Sequence, residues 1–292
     1  MNSFKAIKFD TKKSEFAKVL RKRVNLYFKE KNISKQSNFN MVSKSVFMIS
    51  LYFIPFSFLV SGYIDSYLLN LTLWVLMGFG MSGIGMSVMH DANHGSYFKS
   101  KKVNDIVGQI IIFIGGNAIN WKLQHNVLHH TYTNISGMDE DLESDPLMRF
   151  SPDQEVKKLH KYQHIYAWFL YGLMTISWST DKDFVGLLRY KKKGLLKMQN
   201  INFKKTLRNL IITKAFYYAY ALVLPMIFAP TWWIALVGYL IMHYVAGFVL
   251  GIVFQCAHVI EKTDYPKPKE TGDMDTDFYV HQLSTTANFG SR

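Results

Sequence analysis

Two long apolar blocks limit what this chain can fold into. The block 45–89 contains Asp65 as its only charged residue, and the block 209–257 contains only Lys214. Each block is far longer than the roughly 20 residues that a helix needs to cross a bilayer, and backbone polar groups in lipid must be hydrogen-bonded internally. The blocks therefore exclude an ordinary soluble domain, and so much apolar surface also excludes a disordered chain.

Each block is long enough for a hairpin of two spans joined by a short turn. We predict an all-α membrane protein with two transmembrane helical hairpins and a cytoplasmic helical domain that carries histidine boxes. The four predicted spans cover about 45–64, 68–89, 210–229 and 232–257. Two shorter apolar runs, 107–119 and 165–180, are predicted to lie at the membrane interface instead of crossing it.

The charged residues indicate the orientation of the spans. The chain has 34 Lys and Arg against 21 Asp and Glu, and neither hairpin turn contains a Lys or Arg. By the positive-inside rule, both termini and the central loop face the cytoplasm. This bias, together with attraction to anionic headgroups, accounts for the basic composition, so we expect no nucleic-acid partner. The predicted domains are a basic cytoplasmic segment 1–44 and a membrane domain 45–292, with a cytoplasmic loop 90–208 and a cytoplasmic C-terminal part 258–292.

The basic N-terminal segment contains apolar residues at helical spacing. They predict a helix that either lies on the membrane surface or packs on the cytoplasmic domain, and the sequence leaves both possibilities open. The residues are Phe16, Val19, Leu20, Val24, Tyr27 and Phe28.

Five of the ten histidines fall within residues 90–130. His90 and His94 are four residues apart, which on a helix places both rings on one face. His125 and His129 repeat that spacing, and the adjacent His130 would point elsewhere and let this segment reach a second metal. Neutral imidazole is a good ligand for iron, zinc, copper or nickel. Two such groups on one side of the membrane predict a metal centre.

The remaining histidines differ in whether they are predicted to bind metal. His258 ends the last span at the predicted depth of His90, and we predict that it is a further ligand. His243 lies 15 residues earlier, about 22 Å along the helix, and is predicted to be structural. His160 and His164 form a pair with no third histidine nearby and are not expected to bind metal, whereas His281 is undecided.

Other metal chemistries fit less well. Cys256 is the only cysteine, which excludes a disulfide framework and a cysteine-based zinc site. A zinc peptidase is disfavoured because His90 is followed by Asp91, not by the glutamate that serves as its general base.

The histidine-rich segments resemble the membrane fatty acid desaturases, and more narrowly the front-end acyl desaturases, including linoleoyl-CoA desaturase-like bacterial enzymes. The resemblance runs from about Asn25 to the C-terminus. It is carried by HDANHGSY from His90, WKLQHNVLHHTYTN from Trp121, DEDL from Asp139, FQCAH ending at His258 and QLSTTAN from Gln282.

This resemblance implies two irons that use dioxygen and two electrons to remove two hydrogens from adjacent methylenes, which leaves a cis double bond. A redox metal suits this reaction because acid–base groups cannot break such C–H bonds. By resemblance, the iron ligands are His90, His94, His125, His129, His130 and His258. Candidates for orienting the imidazoles through hydrogen bonds are Asp91, Asn93, Asn134 and Asp141, with helix capping and loop structure as an equal alternative.

The sequence departs from the family in two respects. The family carries a third box, H/Q-x2-H-H, beyond the QLSTTAN stretch, and the sequence given reaches Arg292 without it. We therefore expect a truncated sequence, with a degenerate gene as the alternative, and an incomplete ligand set in the chain as given. There is also no His-Pro-Gly-Gly haem segment, so electrons are expected from a separate ferredoxin or cytochrome b5-type donor.

Two other functions remain possible on the sequence alone. A membrane hydroxylase or ketolase of lipids would use similar histidine boxes, although with other spacings. A non-catalytic metal-binding or metal-transporting protein is disfavoured, because transporters place their ligands near the bilayer midplane and these histidines lie at the span ends.

Overall fold

The computed structural model describes residues 4, 6–10, 15–142 and 147–288. These residues form helical segments, some of which include 3₁₀ or π turns, and the described part of the chain contains no strand beyond an isolated bridge of Lys8 with Asp273. In chain order the segments are α1 Glu15–Glu30, α2 Phe39–Leu59, α3 Tyr67–Asn93, α4 Lys101–Ile114, α5 Ala118–His129, α6 Gln163–Ser177, α7 Asp183–Lys192, α8 Leu195–Met198, α9 Phe203–Phe228, α10 Trp232–His258 and α11 Phe278–Ser284.

Four of these segments, α2, α3, α9 and α10, are long and apolar enough to cross a membrane. This confirms the predicted all-α membrane fold. The first and third spans begin six or seven residues before their predicted starts, because asparagine side chains cap them there. Asn38 accepts a hydrogen bond from the Met41 amide, and Asn202 accepts one from the Lys205 amide. Capping satisfies amides that a helix start leaves without a partner.

Segments α4 and α5 form a bent pair with an angle of 109° between them, which would be a fifth, broken span or a re-entrant loop. Gly115 ends α4 with φ +80°, a left-handed conformation that glycine adopts without strain. Asn117 then caps α5 by accepting hydrogen bonds from the Ile119 and Asn120 amides. The predicted interfacial run 107–119 is therefore the corner of this pair. Segment α6, from the run 165–180, has 15 residues. A 3₁₀ helix, Lys158–Tyr162, precedes it, and a π-helical turn, Trp178–Lys182, joins it to α7.

The chain forms two compact units. The membrane unit comprises Gln36–Lys122 and Trp168–Ile252, and the histidine unit comprises Met1–Lys35, Leu123–Ala167 and Val253–Arg292. The predicted boundary between 44 and 45 remains a prediction, and parts of both predicted domains lie outside the described residues.

The core of the membrane unit is built from the inner faces of its spans. Helices α2 and α3 approach so closely that a Cβ on Gly80 would lie 2.6 Å from the Tyr52 amide nitrogen, so this crossing requires glycine. The large, fully buried side chains of this core include Tyr52, Trp74, Met77, Met81, Ile84 and Tyr217.

Lys214, the single charge of the second apolar block, is buried in the membrane unit. Its ammonium donates to the carbonyl oxygens of Gly115 (2.6 Å) and Trp178 (2.7 Å) and lies 2.7 Å from a carboxylate oxygen of Asp183. The Asn120 amide donates to the Asp183 carbonyl at 2.6 Å. The ammonium therefore lies among three oxygens, one of them from a carboxylate, and this charge links α9 to the α4–α5 corner and to α7.

The histidine unit has a smaller core of its own. Tyr132, Ile135 and Met274 are buried in it, with partly buried apolar residues such as Phe9 packed against them. Asp277 caps α11 by accepting hydrogen bonds from the two amides that follow Phe278. This small core holds α11 and the loop after α5 in one body.

Candidate metal centre

The second histidine group lies where α5 widens into a π-helix. Residues Lys122–His129 have this form, and the His130 amide donates to the His125 carbonyl five residues earlier at 2.9 Å. As a result His125 Nε2 lies 3.1 Å from His130 Nε2. The sequence predicts His129 as the partner of His125, and their rings are stacked with centroids 5.2 Å apart. The structure adds a contact of His125 with His130, which was predicted to point elsewhere, because a π turn brings residues i and i+5 together.

The donor atoms of this group fit a transition metal. Two imidazole nitrogens 3.1 Å apart can share one ion at metal–nitrogen distances of about 2.1 Å. His125, His129 and Asp141 each offer one ligand atom within 4.8 Å of the others. A set of imidazoles with a carboxylate suits iron, zinc or copper better than calcium or magnesium, which prefer oxygen ligands.

His129 is buried and held by carboxylates. Its Nδ1 lies 3.0 Å from Asp139 Oδ1 and 3.4 Å from Asp141 Oδ2. Burial lowers the pKa of His129, but the charge of Asp141 and the hydrogen bond and charge of Asp139 outweigh burial and raise the pKa to about 9. At neutral pH the ring therefore carries a proton on both nitrogens. The carboxylates hold the proton on Nδ1, and a metal ion that binds Nε2 would displace the other proton.

His258, the last residue of α10, is oriented by a backbone oxygen. Its Nδ1 lies 3.2 Å from the Thr285 carbonyl oxygen. A carbonyl can only accept, so Nδ1 carries the proton and Nε2 presents its lone pair. The His258 and His129 rings are 4.6 Å apart between centroids and nearly perpendicular. The predicted further ligand therefore lies beside the second histidine group, within the same unit.

The four residues predicted to orient imidazoles divide into two kinds. The Oδ1 atom of Asp91 lies 2.9 Å from His90 Nδ1. Asp141 lies beside His129 and also accepts a hydrogen bond of 2.6 Å from the Gln124 amide. Both contacts are of the imidazole-orienting kind, and the roles of these residues at a metal remain predictions.

Asn93 and Asn134 make structural contacts instead. The Asn93 amide donates to the Gly108 carbonyl at 3.2 Å. Asn134 is fully buried with φ +59°. Its amide donates to the carbonyls of His258 (3.0 Å), Asp264 (3.2 Å) and Thr285 (3.3 Å). Asn134 thus fixes the backbone around His258, which corresponds to the loop-structure alternative.

The first histidine group belongs to the membrane unit. His90 and His94 lie one turn apart at the end of α3, and their ring centroids are 4.5 Å apart. Both rings pack edge-on against Trp121, at 5.6 Å and 5.5 Å. This is the shared helix face that the spacing predicts.

The other histidines lie in varied surroundings. His243 is fully buried, with Nε2 2.8 Å from the Tyr217 hydroxyl and Nδ1 3.1 Å from the Thr175 hydroxyl, so both nitrogens take part in structural hydrogen bonds. His160 Nδ1 accepts from the Lys157 amide at a helix start, and His164 is exposed. His281 is 1% exposed beside the Phe9 ring, and burial lowers its pKa, so its ring is neutral.

Sequence reasoning missed Asp139 as a site residue. Its carboxylate is fully buried and accepts from the amides of Asn134 and Asp141, both at 2.9 Å, besides contacting His129. A signal was present in the pair of aspartates about ten residues after the second histidine group, since a carboxylate near a ligand histidine commonly orients it. The Thr285 carbonyl had no such signal, because backbone oxygens leave no trace in a sequence.

Comparisons with known proteins show what the chain is similar to. The family model described as fatty acid desaturase matches residues 66–292. An sn-1 linoleoyl-lipid 6-desaturase of Arthrospira platensis is 34% identical over 94% of this chain and 73% of its own length, and one from Synechocystis is 29% identical over 98% and 79%. An acyl-lipid (8-3)-desaturase of Physcomitrium patens is 31% identical over 97% of this chain and 59% of its own. No solved structure matches the chain.

Proposed function

Because this chain belongs to the fatty acid desaturase family, we propose that it introduces a cis double bond into a lipid-linked acyl chain at an iron pair. The observation that carries the proposal is the arrangement of His129 and His258. Both rings have Nδ1 held by oxygen acceptors, which leaves Nε2 of each as a ligand atom.

We propose that each histidine group supplies iron ligands. When bound, the iron pair would supply the redox chemistry with dioxygen that breaks unactivated C–H bonds. The geometry within each unit supports this assignment, since each group presents imidazoles whose centroids are 4.5–5.2 Å apart. The proposed ligands are His90, His94, His125, His129, His130 and His258.

The protein's own contribution is to hold these imidazoles in one protonation state and orientation. Asp139 keeps the Nδ1 proton of His129, and the Thr285 carbonyl keeps that of His258. Asp91 contacts His90 in the same manner. Ligands fixed in advance lose little freedom when metal binds, and a substrate then meets a site whose geometry does not depend on side-chain rearrangement.

The acyl carrier is proposed from the relatives. The matched proteins are named for lipid-linked acyl chains, so we propose an acyl lipid over acyl-CoA as the substrate of this chain. We also propose that the termini and the histidines face the cytoplasm, as the basic loops indicate. Electrons would then come from a soluble ferredoxin or cytochrome b5-type donor on that side.

The test is the lipid composition of a bacterial host that expresses the complete coding sequence together with an electron donor. Fatty acid methyl esters from total lipids should show a new double bond by gas chromatography and mass spectrometry. His125→Ala should abolish it, because His125 lies at the centre of the second group. His164→Ala, at an exposed histidine, is the matched control and should retain the product.

Three results would contradict the proposal. A hydroxylated fatty acid would identify a hydroxylase. Metal uptake by vesicles that contain the protein, with no oxygen consumed, would identify a transporter. A double bond that persists in His125→Ala would show that the second histidine group does not form the site.

A further inference from the structure

The N-terminal helix α1 carries an exposed apolar stripe. Phe16, Leu20, Val24 and Tyr27 are spaced so that they share one helix face, and they are 40%, 37%, 42% and 53% exposed. Ala17 is the only residue of this helix that is buried. The sequence left open whether α1 packs on the cytoplasmic domain or lies on the membrane. In the structure, one edge of α1 is packed and its apolar face is not.

The same helix is basic. Its sixteen residues, EFAKVLRKRVNLYFKE, contain five Lys or Arg and two Glu. Lys18 and Lys22 lie on the side away from the stripe, whereas Arg23 flanks it. A basic helix with an apolar face has the pattern of helices that lie in the interfacial plane of a membrane.

One edge of α1 is fixed to α11. The Arg21 guanidinium donates to the Tyr279 hydroxyl, with Nε at 2.7 Å, and lies 5.2 Å from the centre of the Tyr279 ring. Arg21 is four residues from the buried Ala17, so both lie on this edge. The contact holds the helix in a fixed rotation about its axis while its apolar stripe remains outward.

We propose that α1 docks on an anionic lipid bilayer, with the stripe inserted among the headgroups and the basic residues on lipid phosphates. The chain itself brings the helix to a bilayer, since α1 ends at Glu30 and the spanning helix α2 begins at Phe39. A connection of that length reaches at most about 30 Å when extended. The net positive charge complements a leaflet rich in anionic lipids.

This inference is independent of the proposed reaction, because it requires only that α2 crosses a bilayer. The competing occupant of the stripe is an acidic protein. Such a protein would cover α1 only when it is added, whereas a bilayer would cover it in the purified protein. The test therefore measures α1 in a bilayer before any other protein is added.

The test uses the full chain in nanodiscs and spin labels on introduced cysteines. The chain has one cysteine, the exposed Cys256, which Cys256→Ser removes. Leu20→Cys then reports on the stripe, and Lys22→Cys, on the opposite side of α1, is the matched control. Collision rates with oxygen, which concentrates in lipid, and with a water-soluble nickel complex measure how deep each label lies.

In nanodiscs of phosphatidylglycerol and phosphatidylcholine, the label at Leu20 should be accessible to oxygen and severalfold less accessible to nickel than the label at Lys22. In phosphatidylcholine alone, or in 1 M salt, where the screening length falls to about 3 Å, this protection should weaken. Hydrogen exchange of the α1 amides in the unlabelled protein should show the same lipid dependence, so the test does not rely on the cysteine variants folding.

Two results would overturn the inference. Equal nickel accessibility of the two labels in anionic nanodiscs, with unprotected α1 amides, would show that the stripe stays in water. Protection that appears only after an acidic electron-transfer protein is added would assign the stripe to a protein partner.

Discussion

The two units bury polar groups in opposite ways. In the membrane unit, the Lys214 ammonium has three oxygen acceptors, and His243 uses both ring nitrogens, one with Tyr217 and one with Thr175. In the histidine unit, His125 and His130 point Nε2 atoms at each other at 3.1 Å. A hydrogen bond between two Nε2 atoms needs one ring to donate and the other to accept, whereas a metal ion can bind both nitrogens at once.

This difference separates a structural polar cluster from a binding site. A buried charge is tolerated when it is paired and hydrogen-bonded, and the Lys214 ammonium has a carboxylate and two carbonyl oxygens around it without any ligand. In the histidine cluster, oxygen acceptors hold Nδ1 of His129 and of His258. Ligand atoms of His125, His129 and Asp141 lie within 4.8 Å of one another, close enough for one metal ion to bind them together. Substitutions should therefore affect stability in the first cluster and metal binding in the second.

The largest effect is expected from Lys214→Met. It leaves the Asp183 carboxylate buried without its cation and removes the donor to two carbonyls. Removal of one partner of a buried ion pair costs about 3–5 kcal/mol. The free energy of unfolding in mixed detergent–SDS micelles measures the loss.

The control for Lys214 is the double variant Lys214→Met/Asp183→Leu, which removes both charges. It should recover part of the lost stability, because replacing a buried pair by apolar groups is often neutral. If the double variant is as unstable as the single one, the unpaired carboxylate is not the cause. A loss under about 1 kcal/mol in Lys214→Met, the usual effect of an exposed ion pair, would contradict the description of this charge as buried.

The second effect is on metal binding. Asp139→Asn keeps the size of the side chain but removes the charge that holds the Nδ1 proton of His129. Loss of such a partner commonly weakens metal affinity by about 10–100-fold. Competition of the purified protein with a chromophoric chelator for Fe²⁺, without oxygen, measures the change.

Asp65→Asn is the matched control for Asp139→Asn, since it makes the same chemical change at an exposed residue between the first two spans. It should leave Fe²⁺ affinity unchanged. Equal affinities for the wild type and Asp139→Asn would show that the buried carboxylate has no role at the metal. Asp139 would then belong with Lys214 among the structural groups.

The sequence predicts the local features of the chain but not the contacts between distant segments. The spans and the His90–His94 pair follow from local properties, namely apolar length and helical spacing, and both are found in the structure. The pairing of His125 with His130 depends on a π turn, which spacing based on an α-helix cannot anticipate. The partners of Lys214 and His258 come from segments distant in sequence, and several of them are backbone carbonyls without a residue signature.

The smallest effect separates two substitutions at Asn134, a residue of the histidine unit whose side-chain nitrogen donates to three backbone carbonyls. Both Asn134→Gly and Asn134→Ala remove the donor to the carbonyls of His258, Asp264 and Thr285. Only alanine also strains the backbone at φ +59°, so it should be less stable than glycine by about 1 kcal/mol. The difference between their free energies of unfolding isolates this strain.

Asn134 lies in the histidine unit, but its hydrogen bonds to backbone carbonyls resemble those of the Lys214 cluster. Its variants therefore test whether hydrogen bonding, and not the unit in which a residue lies, makes that residue structural. If hydrogen bonding makes Asn134 structural, both variants should lose about 1–3 kcal/mol of unfolding free energy, because carbonyls are left without donors. The Asn134→Gly variant, which retains the backbone conformation, should then bind Fe²⁺ more tightly than the Asp139→Asn variant does. If Asn134→Gly instead weakens Fe²⁺ binding as much as Asp139→Asn without loss of stability, Asn134 acts at the metal. Hydrogen bonds to backbone carbonyls would then not identify a residue as structural.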